Sequence, residues 1–138
     1  SGEMNSHSEP GLLMTKSQID NDNGYLTMTE ISSLNLKSDL VILSACNTAG
    51  SMTKNTSPFS GLASAFLSAG SNKVLASMWS VESKSTYLLM KTILSKINKK
   101  KRNIKEAQFS GVKSFIKKYS EYKSPYYWGG FMLFGTSL

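Results

Sequence analysis

The stretch Leu40-Val41-Ile42-Leu43-Ser44-Ala45-Cys46, followed by the small polar run Asn47-Thr48-Ala49-Gly50-Ser51, decides how the rest of the chain is read. A short, continuous apolar run of this length reads as a buried strand. Where such a strand meets a loop of small residues, a cysteine can present its sulfur at the carboxyl edge of a sheet, the place where open α/β folds gather their reactive groups. Cys46 is also the chain's single cysteine, so an internal disulfide is excluded and a structural zinc site would lack thiolates. No metal and no cofactor is expected.

Working outward from that strand, alternation is the theme. Downstream, Ser57 can cap a helix with Pro58 at its first position, and Phe59, Leu62, Ala63, Phe66 and Ala69 recur at helical spacing until Gly70. Lys73 to Val81 is a second strand, and Ser83 is placed to cap a helix with the apolar stripe Tyr87, Met90, Leu94 and Ile97. Asn103 and Glu106 have capping-box spacing and open another helix, with Ile104, Ala107, Val112, Phe115, Ile116 and Tyr119 inward and Lys105, Lys113 and Lys117 on the opposite side. Ser124-Pro125 breaks the chain, and aromatic-rich Tyr126 to Phe134 supplies a last strand. Upstream, Gly11 to Thr15 reads as a short strand, Asp20 to Gly24 as a turn, and Thr27 to Glu30 as a capping box for a short helix bearing Ile31 and Leu34. Strands alternating with helices predict an α/β fold, a mainly parallel sheet with helices on both faces. Three clear strands and one short one are few for a free-standing doubly wound sheet, so this chain is expected to supply only part of a larger one.

Composition bounds the function. At 138 residues with 40% apolar and 18% charged residues the chain fits one globular domain, and its apolar runs are strand-sized rather than the ~20 residues of a membrane span. With no secretory-type start, a soluble, cytoplasmic protein without a membrane partner is expected. Charge is lopsided: residues 1–69 hold 3 basic and 6 acidic groups, whereas residues 70–138 hold 13 and 3. The basic half, densest at Lys99-Lys100-Lys101-Arg102, could attract an acidic protein or a nucleic-acid backbone, although a solvated helix-helix connection is the simpler reading of that run. Nucleic acid is the weaker of these partners, because no groove-reading motif or aromatic platform accompanies the charge.

Four segments taken in order resemble the CHAT family of caspase-like cysteine peptidases, often attached to tetratricopeptide repeats. They are Ser44-Ala45-Cys46, the helix bounded by Gly61-Leu62-Ala63 and Ala69-Gly70, the tryptophan-containing turn Ser77-Met78-Trp79-Ser80-Val81, and Pro125-Tyr126-Tyr127-Trp128 ahead of the final strand. The resemblance implies a caspase-like three-layer sandwich and a cysteine-type endopeptidase working through a histidine and cysteine dyad. It implies that Cys46 is the nucleophile, its own amide donating to the oxyanion. Such chemistry needs an imidazole to take the thiol proton and return it to the leaving amine.

That imidazole is where the sequence departs from the family, whose histidine-glycine series lies roughly 40 to 50 residues before the cysteine. The only histidine here is His7, 39 positions before Cys46 but flanked by serines and without a strand before it or a glycine after it. It reads as a loop histidine and a secondary candidate for the base. Residues 1–138 are therefore expected to be the C-terminal portion of a single CHAT domain, beginning just after the histidine strand. The partners implied are a polypeptide substrate, the upstream half of the domain and a repeat or other regulatory region. Alone, the chain is expected to be inactive, since a thiol with a pKa near 8.5 and no positioned base is mostly protonated at neutral pH.

The resemblance also implies substrate-binding candidates: Trp79 and Glu82 stand where the family shapes the substrate side of the cleft, its second acid being Ser83 here, while Asn47 and Thr48 could line the leaving side or only cap the turn. Trp79 also reads as a core aromatic, Glu82 as an acid favoured by a helix start, and Tyr126 to Trp128 as core. The competing function is a non-catalytic caspase-like scaffold that binds an acidic protein or nucleic acid through its basic half or an open sheet edge.

Overall fold

The strand Lys73–Ser77 sits in the middle of the sheet, and everything else is arranged by what its two faces require. The computed structural model describes residues 9–18, 23–44, 58–100 and 103–135. Within them the order is β1 (Gly11–Leu13), β2 (Tyr25–Thr27), α1 (Met28–Ser32), β3 (Val41–Leu43), α2 (Pro58–Ser68), β4 (Lys73–Ser77), α3 (Ser83–Lys100), α4 (Ile104–Lys118) and β5 (Phe131–Gly135). The main sheet has the order β3-β4-β5 and a separate hairpin pairs β1 with β2.

Val74, Leu75 and Ala76 are all completely buried, which is why this strand shows no polar alternation. Leu75 points to one core, with Leu89, Ile93 and Phe115 of the α3–α4 pair. Val74 and Ala76 point to the other, with Ile31 of α1 and Leu62, Ala63 and Phe66 of α2. Successive side chains of one strand thus feed two cores, and the result is an α/β fold with helices on both faces of the sheet.

β3 runs parallel to β4 with Leu43 opposite Ala76, whereas β5 runs antiparallel with Phe131 opposite Ser77. One crossover helix returns a chain for a parallel strand, but here two helices lie between β4 and β5. The second brings the chain back to the carboxyl end of β4, so the last strand must enter the sheet from there. The two helices touch closely because residue 111 is glycine: a Cβ there would stand 2.7 Å from Ile93 Cγ1 and 3.0 Å from its Cα.

Local signals explain most boundaries. The Thr27 capping box forms in full, Glu30 N–H donating to Thr27 Oγ1 at 3.1 Å and Thr27 N–H to Glu30 Oε2 at 2.8 Å. α2 ends at Gly70, whose φ of +110° and contact with the Leu36 carbonyl admit no side chain. Asn103 accepts from Glu106 N–H at 2.9 Å, one half of the expected box. The cap expected at Ser57 falls outside the described residues.

Three readings need adjustment. α3 begins at Ser83 itself, with Thr86 N–H bonded to the Glu82 carbonyl, so Ser83 is its first residue rather than its cap. Its buried stripe is Ser85, Leu89, Met90 and Ile93, while Tyr87 and Leu94 face solvent. Ser85 can lie inside because its hydroxyl is spent on the Glu82 carbonyl at 2.9 Å. Finally, β5 starts at Phe131; Pro125–Tyr127 is a 3-10 turn whose Tyr126 is 49% exposed.

Candidate active site

Because β3 and β4 are parallel neighbours, their carboxyl ends lie side by side at one edge of the sheet. Cys46 follows three positions after Leu43, the last residue of β3. Cys46, Asn47 and Thr48, together with His7, lie outside the described residues. The segment after β4, which carries Trp79 and Glu82, is described in full.

Trp79 is not a core residue: 41% of its surface is exposed. It is nevertheless held firmly. Its indole N–H donates to the Tyr126 carbonyl at 2.9 Å, and its ring lies flush on Gly130, where a Cβ would come within 2.7 Å of ring carbon Cε2. The Tyr126 hydroxyl donates to the Ser80 carbonyl at 2.9 Å, Met78 N–H donates to the Gly130 carbonyl at 2.8 Å, and the Ser77 hydroxyl bonds the Trp79 carbonyl. The loop after β4 is thereby stapled to the turn before β5. An aromatic plate kept in place while exposed to solvent is the kind of surface on which a ligand rests, since its ordering cost is met before binding.

Glu82 closes the same loop. Its carbonyl accepts from Thr86 N–H at the start of α3, and its carboxylate lies near the Tyr122 phenol. Tyr122 is buried among Phe115, Tyr119 and Tyr127, and its phenol is pushed above its ordinary value by burial first and then by the negative charges of Glu82 and Glu121.

Tyr122, Tyr126 and Gly130 are missing from the sequence-derived set. The break at Ser124-Pro125 was the available signal, because a chain that turns there cannot carry Tyr126 to Trp128 straight into a strand. Among the described residues no group of three His, Cys, Asp or Glu side chains could hold a metal ion, and no helix is long and apolar enough to cross a membrane. Compared with known families, the sequence matches a family model described as CHAT domain over residues 1–136. No curated protein matches the chain.

Proposed function

The chain belongs to the CHAT domain family, which is caspase-like, and on that premise we propose that it carries the nucleophile side of a cysteine endopeptidase site. The observation that carries this reading is the pair of parallel strand ends, β3 leading toward Cys46 and β4 toward the stapled Trp79 loop, at one edge of the sheet. The Cys46 thiolate attacks the scissile carbonyl, forming the carbon–sulfur bond and a tetrahedral oxyanion that the Cys46 amide receives. Collapse expels the amine, which takes the proton first removed from the thiol by an imidazole, and water then hydrolyses the thioester. Trp79, Glu82, Asn47 and Thr48 bound the cleft on the substrate side. The imidazole comes from a strand N-terminal to this chain; among the described residues β3 pairs only with β4, and a strand on its other side would end at the same edge.

The test is covalent labelling of the full-length protein with a peptidyl acyloxymethyl ketone. Labelling at Cys46 that Cys46→Ala abolishes and His7→Ala leaves unchanged is the expected result. A folded, reduced protein that takes no label overturns the enzymatic reading.

A further inference from the structure

Beside the α3–α4 core, which its inner wall adjoins, α4 and the turn entering β5 enclose a groove of about 910 Å³. Its floor is apolar, formed by Val112, Ile116, Trp128 and Phe131, with Phe109 standing over it and 68% exposed. Phe109, Val112 and Ile116 are spaced i, i+3 and i+7, an apolar stripe about 10 Å long over two turns of α4. Val112 and Ile116 are half-buried against the core while Phe109 stands free, so the stripe runs from the core edge into solvent and leaves an apolar flank of α4 open.

The rim is basic. Lys105 and Lys113 line the groove, and the Lys113 ammonium lies 4.5 Å from the Phe109 ring centroid. Glu106 is the single acidic residue in the lining and sits in the first turn of α4, where the helix dipole favours it. We propose that this groove docks an amphipathic helix of a protein partner, its apolar side chains on the Phe109, Val112 and Ile116 stripe and its acidic side chains against Lys105 and Lys113.

Two observations choose this occupant. Gln108 Nε2 donates to the Phe131 carbonyl at 2.9 Å, so the groove end of β5 is already closed to the main-chain ladder that an added strand would need. Phe109 is the one exposed ring in the lining, Trp128 being half-buried and Phe131 buried, so the groove has no row of rings on which successive nucleic-acid bases would stack. An apolar stripe with lysines beside it is the complement of an acidic amphipathic helix.

The experiment measures fluorescence anisotropy of a labelled helical peptide of about 16 residues, leucine at i, i+3 and i+7 and glutamate on both flanks, titrated with the full-length protein. A second peptide replaces every glutamate by lysine. The acidic peptide should bind at least about tenfold more tightly than the basic one. Phe109→Asp should weaken it by about tenfold or more, and the double change Lys105→Glu with Lys113→Glu should reverse the preference between the peptides. These side chains lie on the surface, so far-ultraviolet circular dichroism should match the parent protein. Equal affinity for the two peptides, or indifference to Phe109→Asp, overturns the proposal. Concentration-dependent self-association abolished by Phe109→Asp overturns it in favour of a second copy, and RNA binding lost in the double lysine variant overturns it in favour of nucleic acid.

Discussion

Tyr126 serves two neighbours at once, its carbonyl receiving the Trp79 indole and its hydroxyl reaching Ser80. Tyr126→Phe removes only the second bond, which at an exposed position costs about 0.5–1.5 kcal/mol. The expected readout is local: in a Trp128→Phe background, where Trp79 is the remaining tryptophan, acrylamide should quench fluorescence more efficiently after Tyr126→Phe. Unchanged quenching would mean that Gly130 and the indole bond suffice. Tyr122 makes a pH-dependent prediction. Its folded pKa is raised, so the stability it contributes is present below the unfolded value of 10.0 and is lost as pH rises through the folded one. Urea midpoints should therefore fall more steeply above about pH 10 in the parent protein than in Tyr122→Phe. At this scale the sequence pointed to Trp79 and Glu82 but not to the groups that hold them. Trp79 and Tyr126 are 47 positions apart, and no local pattern encodes such a contact.

The helices and strands themselves were largely legible, because each is announced by its neighbours: Thr27 and Glu30 before α1, Asn103 before α4, Gly70 after α2. What misleads is rotation. On α3 the largest apolar side chains suggest the face through Tyr87 and Leu94, yet the helix buries Ser85, Leu89 and Ile93, and the serine can lie inside because its hydroxyl is already bonded to the Glu82 carbonyl. Two glycines carry predictions. Gly70→Ala places a methyl group against the Leu36 carbonyl at φ +110° and should cost more than about 1–2 kcal/mol, read as a fall of several degrees in Tm. Gly111→Val pushes α3 and α4 apart at Ile93 and should cost about 1–3 kcal/mol; a stability equal to the parent's would show that the helix pair yields more readily than its packing implies.

Over the whole molecule, the α/β class followed from the order of periodicities, whereas the direction of the last strand did not. An apolar run looks the same in either orientation, and only the number of helices between β4 and β5 reverses it. The hairpin of β1 and β2 was half legible: Gly11 to Thr15 stands out by composition although the strand ends at Leu13, whereas Tyr25–Thr27 is only three residues long and merges with the helix cap. Truncating the fully buried aromatic of the α3–α4 core, Phe115→Ala, should remove about 3–5 kcal/mol and lower the denaturation midpoint by chemical unfolding more than any surface change. The staple on Trp79 also has a consequence in time. Its anchors Tyr126 and Gly130 lie near the far end of the sequence, so a ribosome adding roughly 5–20 residues per second completes them several seconds after Cys46 has been made. A nascent chain therefore carries Trp79 without its staple until Gly130 has been added, and the plate becomes rigid only as the last strand begins to be made.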